Sequence, residues 1–261
     1  MRRSTVRALN PFLFLCACIL TAPAQALSPA PSRHNPELKA DHISFTTEDG
    51  GVIYAYLYGN GERGVVLAHG GQFRKESWQP QAESLVGAGF RVLAFDFRGF
   101  GKSHGPGDKD MDTAPMQLDV LAAVRYLRKN GAKTVSVIGA SFGGSAAADA
   151  SIASQPGEID RLILLGAEGD GPAEQVKSPL LIIVAQNDAS DDGPRLPHIR
   201  EWFAKAPEPK QLIVVEGSAH AQFLFQTEQG DRVMKEILRF LTADPRPSAA
   251  TPGYSGTRSL K

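Results

Sequence analysis

Cysteine is almost missing from this 261-residue chain, and the two present, Cys16 and Cys18, both fall within its first 26 residues. Past that segment no disulfide, thiolate metal site or cysteine nucleophile can form. An excess of charge is missing too, since 28 Lys and Arg balance 28 Asp and Glu. With no basic run and no acidic tail, the sequence offers neither a nucleic-acid groove nor a cation sponge. No apolar stretch is long enough for a comfortable transmembrane helix. No segment repeats, and the His, Asp and Glu residues show no metal-ligand spacing. The glycine loops lack the lysine and spacing of a phosphate-binding loop. What is left is a chain of ordinary one-domain length that must hold together by its core alone.

The N-terminal segment reads as an export signal. Arg2, Arg3 and Arg7 supply a positive start, "PFLFLCACIL" a short apolar centre, and Ala24-Gln25-Ala26 a small-residue cleavage site. Residues 1–26 are therefore expected to be removed, leaving a periplasmic or secreted protein with no stable membrane span. One alternative is a retained anchor. Another is cleavage after Ala17 with lipid on Cys18, disfavoured because Cys16 occupies a position that usually carries a small residue. Residues 27–40 are Pro-rich and read as a flexible lead-in. Residues 244–261 have Pro, Gly and Ser with few large apolar groups, the composition of a disordered tail.

Residues 41–243 form the expected catalytic domain. Apolar runs such as "VIYAYLY", "GVVLAHG", "FRVLAFDF", "TVSVIGA", "RLILLGA", "PLLIIVAQ" and "KQLIVVEG" read as strands, several of them continuous enough to be covered on both faces. Helical segments fall between them. One has Leu118, Leu121, Val124 and Leu127 at helical spacing, with Gly131 as its stop. Alternating strand and helix imply a doubly wound, mostly parallel α/β sheet, with its strand C-termini gathered along one ligand-binding edge.

Three polar residues fall just past strand ends on that edge: Ser141 in "GASFGG", Asp188 after "LLIIVAQN" and His220 after "LIVVEGSA". A serine hydroxyl attacks well only if a base takes its proton. Histidine, with an ordinary pKa near ~6.5, suits that task. A carboxylate on the far ring nitrogen orients the ring and stabilises the imidazolium. Asp191, Asp192 and Glu168 are rivals to Asp188 for the acid. "LAHGG" ends another strand with little side-chain bulk, so its loop can aim a backbone N–H at a developing oxyanion, and Phe142 N–H would be the second donor. Phe73, Trp78, Phe100, Phe142 and Phe223 lie near these loops and read as core or pocket lining. The remaining histidines, His34, His42, His104 and His198, are weaker site candidates.

Together "HGG" at 69–71, "DFRGFGKS" at 96–103, "GASFGG" at 139–144, Asp188 and His220 resemble the α/β-hydrolase fold superfamily over roughly residues 43–241. The chain order Ser, acid, His is that of this superfamily. The resemblance implies a cofactor-free, metal-free serine hydrolase with Ser141 as nucleophile, His220 as base, Asp188 as orienting acid, and Gly71 and Phe142 as oxyanion donors. It casts His69, Asp96 and Arg98 as structural. Two departures stand out: Ala185 replaces a common glycine, and only residues 168–177 occupy the place where many relatives insert a helical cap. The expected reaction is cleavage of a carboxylic ester on a small-molecule or polymer-borne acyl substrate through an acyl-enzyme. A thioesterase, lactonase or peptidase on the same triad is an alternative, and so is a non-catalytic binding module.

Overall fold

The computed structural model describes residues 38–111 and 113–243. The expected export signal, residues 27–37 of the expected lead-in and residues 244–261 lie outside the described residues. Ten strands and five α-helices follow one another. They are β1 (Asp41–Thr46), β2 (Val52–Tyr58), β3 (Arg63–Ala68), α1 (Gln79–Gly87), β4 (Phe90–Phe95), α2 (Met116–Lys129), β5 (Thr134–Ala140) and α3 (Phe142–Ala153). Then come β6 (Arg161–Leu165), β7 (Leu180–Ala185), β8 (Ala189–Ser190), β9 (Gly193–Pro194), α4 (Arg195–Lys205), β10 (Lys210–Val215) and α5 (Gly230–Thr242).

Eight strands form one sheet in the order β1-β2-β4-β3-β5-β6-β7-β10. From β4 to β10 the pairs are parallel, whereas β1–β2 and β2–β4 are antiparallel. The fold is the doubly wound, mostly parallel α/β sheet that the alternation of elements implied. The sequence reading did not identify β1 as a strand. "DHISFT" alternates exposed and half-buried residues at the sheet edge, so it carries no continuous apolar run. The β8–β9 hairpin also went unread, being two residues per strand.

Each central strand buries both faces because helices cover the sheet on both sides. Val66, Val137, Leu164 and Ile182 face a core shared with Val120 and Val124 of α2 and Ile199 of α4. Their neighbours Leu67, Ile138, Ile163 and Ile183 face the opposite core, with Leu85 of α1 and Val233 and Ile237 of α5. In α2 the buried stripe runs Met116, Val120, Ala123, Val124, Leu127, and Leu118 is only half-buried. The stripe admits one charge, Asp119, which is fully buried. Its Oδ1 accepts from Arg98 Nε at 2.9 Å and Nη2 at 2.7 Å, and its Oδ2 accepts the Arg98 N–H at 2.9 Å. Arg98 also holds Asp49 through Nη1 at 2.6 Å. That buried guanidinium ties the turn after β4 to α2 and to the β1–β2 connection. Desolvation penalises the pair, so its worth is in specifying the turn more than in net stability.

Strand β3 is where the winding reverses, with β4 on one side and β5 on the other. At such a switch point the loops after adjacent strands diverge and leave a crevice at the strand C-termini. The loops after β3 and β5 carry His69-Gly70-Gly71 and Ser141.

Candidate active site

The site begins with an energetically awkward residue. Ser141 sits between β5 and α3 with φ 51° and ψ −126°, a positive φ that a residue with a Cβ rarely takes. Such strain is of order 1–3 kcal/mol and persists only where the surroundings impose it. Here two glycines let the turn close. A Cβ on Gly139 would overlap the carbonyl of Gly143, and one on Gly143 would overlap the carbonyls of Ala68 and His69. The elbow lifts the Ser141 side chain out of the sheet edge.

The three residues singled out from the sequence come together. Ser141 Oγ lies 2.7 Å from His220 Nε2, and His220 Nδ1 lies 2.8 Å and 3.0 Å from the two carboxylate oxygens of Asp188. With Nδ1–H donating to the carboxylate, Nε2 is left to accept the serine proton. Asp188 is fully buried, and Arg195 Nε stands 3.5 Å from its Oδ1. The rival acids are elsewhere. Asp191 and Asp192 are exposed in the β8–β9 turn, and Glu168 is half-buried on the loop after β6. Gly166 runs tightly beneath the dyad, and a Cβ there would lie 2.9 Å from Asp188 Oδ2 and 3.2 Å from His220 Nδ1.

The two expected oxyanion donors are placed differently from each other. Phe142 opens α3, so its N–H belongs to the first helical turn, where donors have no intrahelical acceptor. Gly71 is exposed and borders open space. Its loop is held by Gln222, which the sequence reading missed. The buried Gln222 side chain accepts the Gly70 N–H through Oε1 at 2.9 Å and donates to Ser77 Oγ through Nε2 at 2.9 Å. Lying two residues after His220, it links the loop of the base to the loop of Gly71. No sequence signal marks it, because its partners are 145 and 152 residues away.

The residues expected to be structural are buried. His69 packs edge-on against Phe97 and Phe100, and its Nε2 accepts the Phe97 N–H at 3.3 Å. Burial holds its imidazole well below the usual range, at about 4. Asp96 accepts the Lys75 N–H at 2.8 Å and the Lys75 ammonium at 2.6 Å. Of the aromatic residues, Phe142 lines the cavity, Phe100 packs beside it, and Trp78 is core. Phe73 and the partly exposed Phe223 pack in a tilted pair with ring centres 4.9 Å apart. His198, on α4, lines the cavity, whereas His42 stacks on Tyr56 and His104 bridges to Val52. His34 lies outside the described residues.

A cavity of about 320 Å³ opens beside Ser141, walled by the β6 loop from Gly166 to Asp170, the β8–β9 turn and the start of α4. The link between β6 and β7 holds one short 3₁₀ turn, Ala173–Gln175, so no helical cap stands over this cavity. Among the described residues no group of His, Cys, Asp and Glu could hold a metal ion, and no helix is long and apolar enough to cross a membrane.

The fold agrees with comparison to known proteins. Residues 64–177 match the family model described as alpha/beta hydrolase fold. A Pseudomonas 2-hydroxy-6-oxononadienedioate/2-hydroxy-6-oxononatrienedioate hydrolase is 31% identical over 135 residues, 51% of this chain and 46% of that protein. A non-heme haloperoxidase of Rhodococcus erythropolis is 33% identical over 47% of this chain and 43% of its own. The chain thus aligns with about half the length of these curated relatives. The Pyrococcus furiosus esterase Pf2001 superposes with a TM-score of 0.64 at 22% identity, over 77% of this chain and 93% of that one. The chain has the α/β-hydrolase fold, and residues 64–177 match the model of that family.

Proposed function

We propose that this protein is an exported serine hydrolase that cleaves a carboxylic ester through an acyl-enzyme. The observation that carries the reading is the unbroken relay from Ser141 Oγ through His220 to the buried Asp188, with both hydrogen-bonded steps at 2.7–2.8 Å. In this reading His220 takes the serine proton as Oγ attacks the carbonyl carbon. The N–H groups of Phe142 and Gly71 receive the charge that develops on the carbonyl oxygen. His220 then returns the proton to the departing alcohol, and a water activated by the same imidazole releases the acid. The chemistry needs no metal or cofactor. An esterase and a 2-hydroxy-6-oxononadienedioate hydrolase among the similar proteins support hydrolysis as the general class. Ester is preferred within that class because the cavity beside Ser141 has no helical cap from the β6–β7 link and leaves the serine open to an acyl carbonyl.

Export rests on the basic start, apolar centre and Ala24-Gln25-Ala26 site of residues 1–26. A fluorophosphonate probe is expected to label the wild-type protein at Ser141 and to leave Ser141→Ala unlabelled. Equal labelling of the two proteins would overturn the assignment.

A further inference from the structure

The peptide between Gly70 and Gly71 carries one of the two proposed oxyanion donors, and its neighbours hold it firmly. Gly70 O accepts the Phe73 N–H at 2.9 Å and the ring N–H of His69 Nδ1, also at 2.9 Å. In a planar trans peptide the Gly71 N–H points the opposite way from that carbonyl, so fixing the carbonyl aims the donor. Gly70 also lies against the nucleophile. A Cβ on it would stand 3.5 Å from Ser141 Cβ and 3.4 Å from Ala140 O. A small rotation of this peptide therefore moves the donor relative to Ser141.

The other side of Gly70 is held from a distance. Its N–H donates to Gln222 Oε1 at 2.9 Å, which commits that N–H and leaves Gly71 to supply the oxyanion donor. The Gln222 amide is itself anchored. Its Nε2 donates to Ser77 Oγ at 2.9 Å, and Ser77 Oγ donates to Arg74 O at 2.6 Å. Only the amide oxygen can accept from Gly70, so chemistry fixes the orientation of this side chain. Gln222 is buried, where an apolar side chain would pack at lower cost if filling space were its only task. Ala221, between His220 and Gln222, is buried with φ 50°, a left-handed backbone that a Cβ disfavours. Such a conformation persists where the surroundings impose it. The anchors of Gln222 and the Phe223 N–H bond to His220 O at 3.0 Å place that constraint on the backbone of the base.

From this geometry we infer that Gln222 is a positioning residue for the reaction. It locks the Gly70–Gly71 peptide to the backbone that follows His220. Oxyanion donor and base then keep one spacing about Ser141 while the carbonyl becomes tetrahedral. His69 and Phe73 belong to the donor's own loop, whereas Gln222 reaches it from the loop of the base. This role rests on the serine-hydrolase reading, although its exchange test does not.

Gln222→Met keeps the length of the side chain and removes both of its hydrogen bonds. Active sites are counted by fluorophosphonate labelling to completion, so a loss of folded protein lowers the count and not kcat per site. On ethyl butanoate, kcat per site is expected to fall by about 10–100-fold while KM stays within about threefold. A displaced donor is missed chiefly in the transition state, which gives that split. A trifluoromethyl ketone, to which Ser141 adds as an oxyanion-bearing hemiketal, should lose affinity by the same factor as kcat/KM. Ser77→Ala, a milder cut in the same chain of bonds, should lower kcat by about three- to tenfold with KM again steady. It carries the test if Gln222→Met does not fold. Unchanged kcat per site, or a loss confined to KM, overturns the role.

Amide hydrogen exchange gives a second readout free of turnover. The Gly70 N–H, buried on Gln222, should exchange about tenfold or more faster in Gln222→Met than in the wild type, with the amides of β5 unchanged. Equal exchange at Gly70 in the two proteins overturns the role. Should wild-type protein turn over no ester and take no fluorophosphonate label, the hydrolase reading fails, and exchange alone still decides whether Gln222 fixes the loop.

Discussion

At the residue scale the question left open by the sequence is which carboxylate serves the histidine. Asp188, Asp191 and Asp192 lie within five positions of one another, and nothing in composition separates them. Burial does. Asp188 is fully enclosed and offers two oxygens to His220 Nδ1, whereas Asp191 and Asp192 are exposed on a hairpin turn, Asp192 at the cavity's edge. An enclosed carboxylate keeps its interaction with the imidazolium unscreened, while an exposed one gives most of it to water. Asp188→Asn is therefore expected to lower kcat toward a chosen ester by about 10³–10⁴-fold, the size seen when a triad loses its acid. Asp191→Asn and Asp192→Asn should each change it by less than about threefold, because exposed charges at this range contribute under about 1 kcal/mol. Steady-state kinetics of the three variants on one ester is the check. A large loss in either exposed variant with a small one in Asp188→Asn would reverse the assignment.

At the element scale, the close approach of α3 to the β3 loop decides where Ser141 stands. Gly143 touches the backbone of Ala68 and His69 so closely that a methyl group has no place. Gly143→Ala must push the helix from the sheet, which should cost about 2 kcal/mol or more and most of the activity. Gly71 is the contrasting case in the facing loop, since a Cβ there meets nothing within 4 Å and the N–H is retained. Gly71→Ala should leave stability within about 0.5 kcal/mol of wild type. Urea midpoints of both variants measure this, and equal stability of the two would contradict the packing argument. "GASFGG" announced the elbow because the glycines are local to the serine. The partner loops could be guessed only from their own glycines. Gln222, which ties the Gly70 loop to the base, could not be read at all, since the tie spans 152 residues.

At the scale of the whole molecule, the core also sets a pH limit. His69 is buried and neutral, with its folded-state pKa depressed to about 4 by desolvation. Unfolded, it binds its proton near ~6.5, so between these values the unfolded chain holds more protons than the folded one. Its contribution is therefore intact above about pH 6.5 and is lost as pH falls toward 4, a change of roughly 3 kcal/mol when complete. Urea unfolding followed from pH 7.5 to 5 should show this slope in the wild type and a shallower one in His69→Gln; parallel slopes would remove His69 as the cause.

The sequence by itself determined the alternation of strands and helices, the glycine-flanked serine turn and the chain order serine, acid, histidine, because each is written in neighbouring residues as periodicity, glycine placement or order along the chain. It was silent on β1, whose edge position leaves only a weak alternation, and on the shift of the α2 stripe that buries Asp119 in place of Leu118. Only the tertiary structure decided that Asp188 and not a neighbour meets the histidine, and that Gln222 braces the Gly70 loop. Those outcomes depend on burial and on contacts between residues far apart in the chain, and the energy of a polar group changes most when folding removes its water.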